Sequence, residues 1–206
     1  MRQQQKSNEA AVVEKILRSW QDAEDAESRE YRGSLATIGR LYGKLPTEDV
    51  RATSEAMGLL YQNGLRDNDC DHEGGDGLTR GERASIVVLS LYAGVGRTVK
   101  HSGDGLTIGG AIGATQRGEE HAESMHSLMR SLAADVDFKS AVWDASRALK
   151  RFSGDITVDY VRLVDDLTAL QSDESRSRVL LGWTGDYWSA LLWRTDENDT
   201  EDKEND

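Results

Sequence analysis

Residues 79–95 read TRGERASIVVLSLYAGV, and the periodicity of this stretch decides what kind of fold the chain adopts. Thr79 and Glu82 have the spacing of a capping box, in which each side chain bonds the other's backbone N–H at a helix start. The residues that follow are apolar on most sides of a helix, so the helix has to be central, with others packed around it. It is expected to end near Val99.

Helical patterns continue on both sides of it. Residues 9–20 put Val12, Val13, Ile16, Leu17 and Trp20 on one stripe. A second helix is expected from Arg29 to Tyr42, with Leu35, Ile38, Leu41 and Tyr42 inward, stopped by the KLP at 44–46. A third covers 47–61, and later ones fall at 107–115, 119–133, 137–152, 157–170 and 174–193. No segment alternates with period two for long enough to demand a sheet. The reading is an all-α chain of two packed helical bundles joined near a glycine-rich loop: residues 1–101, residues 102–194, and a disordered acidic tail at 195–206.

The tail holds Asp196, Glu197, Asp199, Glu201, Asp202, Glu204 and Asp206 against Lys203, so it carries half of the formal net charge of −12 and cannot build a core. A second acidic cluster lies at 67–76. Elsewhere the charges nearly balance, which leaves room for a local basic surface. Cys70 is the one cysteine, so the chain has no internal disulfide and fits a reducing cytoplasm. No apolar run approaches a membrane span, and the expected location is cytoplasmic, away from any membrane.

The acidic cluster puts Asp69, Asp71, Glu73 and Gly74 at the first positions of a calcium loop, but Arg80 stands where the bidentate glutamate belongs. A solvated loop fits better. His101, His121 and His126 are too scattered for a zinc site, and Cys70 with His72 would need two more ligands. Asp165 and Asp166 are adjacent and point apart on a helix, as expected of a solvated face. No nucleophile elbow or zinc-protease motif is present, so neither a metal, a cofactor nor a catalytic function is expected. The stretch HSGDGLTIGGAIG at 101–113 lacks the GK[ST] of a phosphate-binding loop. Its glycines are expected to form a flexible loop, after which Thr107 caps a short helix beginning at Ile108.

One helix has a directional pattern. In DFKSAVWDASRALKRF (137–152), Phe138, Val142, Ala145, Leu149 and Phe152 face inward, while Lys139, Trp143, Arg147, Lys150 and Arg151 share the other side. Cations beside an aromatic suit a nucleic-acid backbone, where Arg and Lys meet phosphates and Trp can stack. An ordinary solvated face, with Trp143 packed on a neighbour, has the same pattern.

Four segments, in order, resemble the CasB family, the small subunit of the type I-E CRISPR Cascade complex. LSLYAGVGRTVKHSGDGLTIGGAIGA (89–114) is similar to the family's central LYA-type helix, its variable loop and the small-residue helix after it. LATIGRLYGK (35–44) resembles an early LA-x-LRR-x-x-G helix. VDYVRLVDDL (158–167) resembles the late DY-x-x-L-x-x-DL helix, and SRVLLGWTGDYW (177–188) the closing RVR-x-x-W-x-x-DFY helix. The resemblance implies two helical bundles without catalytic activity, present as a pair beside the other Cascade subunits. It also implies basic faces that hold guide RNA and target DNA and steady the displaced strand.

Position by position, Arg40 matches the second arginine of the early helix, Arg130 the arginine of an R-x-L-L-like helix, and Arg178 the first arginine of RVR. Arg97 and Lys100 follow the LYA signature. Gly39, Gly110, Leu180 and Gly185 stand where relatives carry arginine. Arg40, Arg97, Lys100, Arg130 and Arg178, with Lys139, Arg147 and Lys150 from the basic helix, make the candidate nucleic-acid contacts. The alternative is an acidic helical adaptor or DNA mimic that binds a basic partner through residues 67–76 and the tail.

Overall fold

The computed structural model of the chain describes residues 7–25, 29–66, 76–95, 98–115, 122–134, 137–152 and 156–192. At its centre is α4 (Arg80–Val95), in which Gly81, Glu82 and every residue from Ala84 to Tyr92 are buried. The expected capping box is formed: the Thr79 N–H donates to Glu82 Oε2 at 2.8 Å, and the Glu82 N–H to Thr79 Oγ1 at 3.1 Å. Glu82 Oε1 accepts from the Tyr61 hydroxyl at 2.7 Å, so both oxygens of this buried carboxylate are bonded.

Around α4 stand α1 (Asn8–Asp25), α2 (Arg29–Ile38), α3 (Val50–Gln62), α7 (Phe138–Leu149) and α8 (Tyr160–Leu170). The stripe expected on α1 is buried in full, from Val12 to Trp20. Trp20 stacks on Tyr92 with ring centroids 5.9 Å apart, and Tyr92 meets Tyr160 edge-on at 5.3 Å, which joins α1, α4 and α8 through one aromatic row.

The remaining helices pack close to that centre. α5 (Ile108–Thr115) lies against α9 (Asp173–Leu192), while α6 (Ala122–Ala133) contacts α5, α7 and α9. Among the described residues the fold is all-α apart from one short strand, as expected. A Cβ at Gly109 would sit 1.9 Å from the Trp183 carbonyl oxygen, and one at Gly113 would sit 2.5 Å from that of Tyr187. The glycines of α5 therefore let two helix backbones touch. Thr107 caps α5 through the Gly110 N–H at 3.1 Å and donates to Asp186 of α9 at 2.8 Å.

Four expectations are corrected. The second helix stops at Ile38 rather than Tyr42; a short 3-10 turn follows at Gly39–Leu41, and Gly43, at φ +70°, reverses the chain before KLP is reached. The central helix is described to Val95, and Thr98 to Lys100 are not α-helical, so it does not reach Val99. His101–Leu106 is not a flexible loop but a strand, β1. Its Leu106 N–H donates to Thr157 O at 3.0 Å, and the Val158 N–H donates to Lys100 O at 3.1 Å. A Cβ at Gly105 would lie 2.7 Å from the Val158 carbonyl carbon, so glycine serves close approach there. Last, Asp165 and Asp166 do point apart, but not onto a solvated face: Asp165 accepts from Ser7 Oγ at 2.6 Å and Asp166 from Trp183 Nε1 at 2.7 Å. The tail and residues 67–75 of the acidic cluster, with Cys70 and His72, lie outside the described residues, as does His121.

Replacing Gly109 with Ala forces α5 off α9 and is expected to cost about 2 kcal/mol, lowering Tm by about 4–8 °C for a chain of this length. Gly182→Ala on exposed α9, where a Cβ meets nothing within 4 Å, is the control and should stabilise by up to about 1 kcal/mol. Thermal melts followed by circular dichroism separate the two.

Burial pushes the Asp166 carboxyl up to about 6 from a usual 3.8, against the pull of the Trp183 bond. The folded state therefore holds a proton that the unfolded chain releases, and this contribution to stability is lost as pH rises from about 4 to about 6. Asp166→Asn keeps an acceptor for Trp183 without the charge. Its stability relative to wild type, measured by urea denaturation, should improve between those pH values and stay level above them.

Candidate nucleic-acid interface

The turn segment after α2 and the exposed face of α7 come together through Tyr42. Gly94 of α4 provides the seat, since a Cβ there would fall 1.8 Å from Tyr42 Cδ2. At its other end the Tyr42 hydroxyl donates to the Ser146 carbonyl oxygen of α7. Burial holds this hydroxyl far above the usual phenol range, so it stays a neutral donor. Gly43 packs beside it: a Cβ would meet Ser146 Oγ at 2.8 Å and Trp143 Cε3 at 3.4 Å.

This joint sets the segment that carries Arg40 beside the basic row of α7. Asp137 caps α7 by accepting from the Ser140 N–H at 2.8 Å, and the apolar stripe from Val142 to Phe152 is buried as expected. Lys139, Trp143, Arg147, Lys150 and Arg151 are thereby turned outward. Lys150 Nζ lies 4.7 Å from the centroid of the Tyr42 ring. Lys139 Nζ pairs with Glu48 Oε1 at 3.3 Å, across from α7 to the second 3-10 turn, Pro46–Glu48. The Leu45 N–H and then Lys139 hold the Glu48 carboxyl below its usual range.

Glu48 is exposed beside Lys139, but two other carboxylates of this face, Asp49 and Asp144, are tied inward while their cations project. Arg40 Nε meets Asp49 Oδ2 at 3.2 Å, but Asp49 Oδ1 accepts from the Ala52 N–H at 3.1 Å and caps α3. Arg147 Nη1 meets Asp144 Oδ1 at 3.3 Å, and Asp144 Oδ2 accepts from Ser131 Oγ at 2.5 Å. The side chains of Arg40 and Arg147 are 57% and 46% exposed, against 14% and 6% for Asp49 and Asp144. Each guanidinium is therefore partly open to solvent and keeps further N–H donors with which to meet another anion.

Four of the eight candidate residues, Arg40, Lys139, Arg147 and Lys150, thus share one face. Lys100, Arg130 and Arg178 are exposed elsewhere, ahead of β1, on α6 and on α9, and Arg97 lies outside the described residues. Two further members of the face were not singled out as functional from sequence. Lys44 is exposed on the same turn, and Tyr42 was read only as an inward residue. The Y-G-K order at 42–44 is the signal that could have found them. Among the described residues no group of three or more His, Cys, Asp or Glu side chains could hold a metal, and no helix is long and apolar enough to cross a membrane. His101 and His126 are half-buried beside Tyr160 and Tyr187.

The family model for CRISPR-associated protein Cse2 matches residues 34–188, and the chain belongs to that family. It is thereby a CasB-type small subunit of Cascade, from a family that forms a structural component of the complex. A comparison with curated protein sequences returned no match. Among solved structures, CasB from Thermobifida fusca is similar with a TM-score of 0.66 and 19% identity, over 89% of this chain and 99% of that one. A CRISPR-associated protein of the Cse2 family from Thermus thermophilus is similar at 0.62 and 20%, over 86% and 98%. A structure of CasB from the same organism gives 0.61 and 18%, over 89% and 99%.

Proposed function

We propose that this chain holds guide RNA and target DNA within Cascade, and steadies the displaced strand, through phosphate contacts on the face shared by α7 and residues 40–49. It does so without catalysis, in the cytoplasm, beside a second copy of itself and the other subunits. The observation that supports this reading is the packing of segment 40–49, which carries Arg40, on α7, which carries Lys139, Arg147 and Lys150: Tyr42 bonds Ser146 and Glu48 pairs with Lys139. In a chain of net charge −12, exposed cations gathered on one face, two of them with their carboxylates turned inward, are suited to a polyanion. Phosphate contacts suffice for the task, since guide pairing supplies the sequence specificity. Lys100, Arg130 and Arg178 extend the contacts to other parts of the surface, and Arg97, outside the described residues, is assigned the same role from the sequence.

In the assembled complex, Arg40→Glu combined with Arg178→Glu should weaken target-DNA binding while leaving the thermal melt of the isolated subunit within a few degrees of wild type. The single changes Arg40→Ala, Lys139→Ala and Lys150→Ala should each reduce the slope of log affinity against log salt by about 0.7–0.9 for each copy of the subunit, one phosphate contact per copy. Unchanged affinity of the double variant at physiological salt overturns the reading.

A further inference from the structure

We propose that Trp143 is a stacking platform for an unpaired base, so that the α7 face takes single-stranded nucleic acid in preference to duplex. The inference rests on the reading that this face binds nucleic acid, and it adds which form is bound. Trp143 is 56% exposed, although an indole offers one of the largest apolar surfaces a side chain can bury. It makes no ring contact among the described residues, unlike the exposed Trp188 of α9, whose ring meets His126 at 6.2 Å and Tyr187 at 5.1 Å.

Trp143 is nevertheless held in place. Its Cε3 edge lies against the Gly43 turn, where φ of +70° and the lack of room for a Cβ both require glycine. Ser146 Oγ donates to the Trp143 carbonyl oxygen at 2.7 Å, and the Ser146 carbonyl oxygen in turn accepts from Tyr42. An indole braced at its Cε3 edge while more than half exposed loses little freedom when a base lies on it.

Its neighbours bracket it. Lys139 and Arg147 are four residues before and after Trp143, each about one helical turn or 6 Å along the axis, and Lys150 follows one turn further. A strand running along α7 would set phosphates on either side of a base that covers the indole. A duplex cannot do this, because its bases are already paired and stacked; it could use only the cations.

The test uses the intact chain with a fluorescein-labelled oligothymidine and a duplex of equal length, followed by anisotropy at low salt. Trp143→Leu should weaken single-strand binding about tenfold and change duplex binding by less than about twofold, while Trp143→Phe keeps most of the single-strand affinity. Intrinsic tryptophan fluorescence gives a second readout independent of folding differences: oligothymidine should quench wild type more than Trp143→Phe. Equal effects of Trp143→Leu on both ligands, or equal quenching of wild type and Trp143→Phe, overturns the stacking assignment. The double change Lys139→Glu with Lys150→Glu should weaken both ligands. If it weakens neither, or if wild type binds neither, the nucleic-acid reading of the face fails as well.

Discussion

Burial of α4 on nearly every side is the constraint on which the other helices depend. A helix with residues 84–92 wholly out of water needs neighbours around its full circumference, and no single partner can supply them. Five helices therefore converge on it from both ends of the sequence, and the Trp20, Tyr92 and Tyr160 row binds three of them together. Even its one buried carboxylate, Glu82, is spent on the helix start and on Tyr61. The crowding also explains the glycine at position 94, where the helix has to yield space to a neighbouring aromatic ring.

That ring is the link between core and surface. Tyr42 rests on α4 at Gly94 and bonds α7 at Ser146, so the turn that carries Arg40 and Lys44 cannot sit anywhere but beside the basic row. The face is a by-product of how the core closes. Its charge balance follows from the same geometry, because the caps of α3 and the contact with α6 hold Asp49 and Asp144 inward and leave the longer basic side chains in solvent. A second close fit, that of α5 on α9, relies on Gly109 and Gly113 in the same way that Tyr42 relies on Gly94.

Much of this was legible in the residues. The capping box at Thr79, the inward stripes of α1 and α7 and the outward cations of α7 all follow from a 3.6-residue period, which local sequence states directly. The Thr107 cap was legible for the same reason. The misreadings share a cause. β1 pairs with residues more than 50 positions away, and HSGDGL has little strand propensity of its own, so tertiary hydrogen bonds decided its form. Asp166 looked like half of a solvated pair because adjacency on a helix says nothing about the indole of α9 that covers it.

The sequence by itself determined that the chain is helical, that α4 is central, and that α7 turns a row of cations and one tryptophan away from the core. These properties are local, set by side-chain periodicity and capping chemistry over a few turns. Only the tertiary structure decided that the segment of Arg40 lies beside that row, that Trp143 is exposed rather than buried against a neighbour, and that Gly105, Gly109 and Gly113 serve contact rather than flexibility. Each of those depends on what comes within a Cβ's distance of a glycine, side chains at Gly43 and Gly94 and another backbone at Gly105 and Gly109. Such close approaches are made by residues far apart in the chain and leave no period in it.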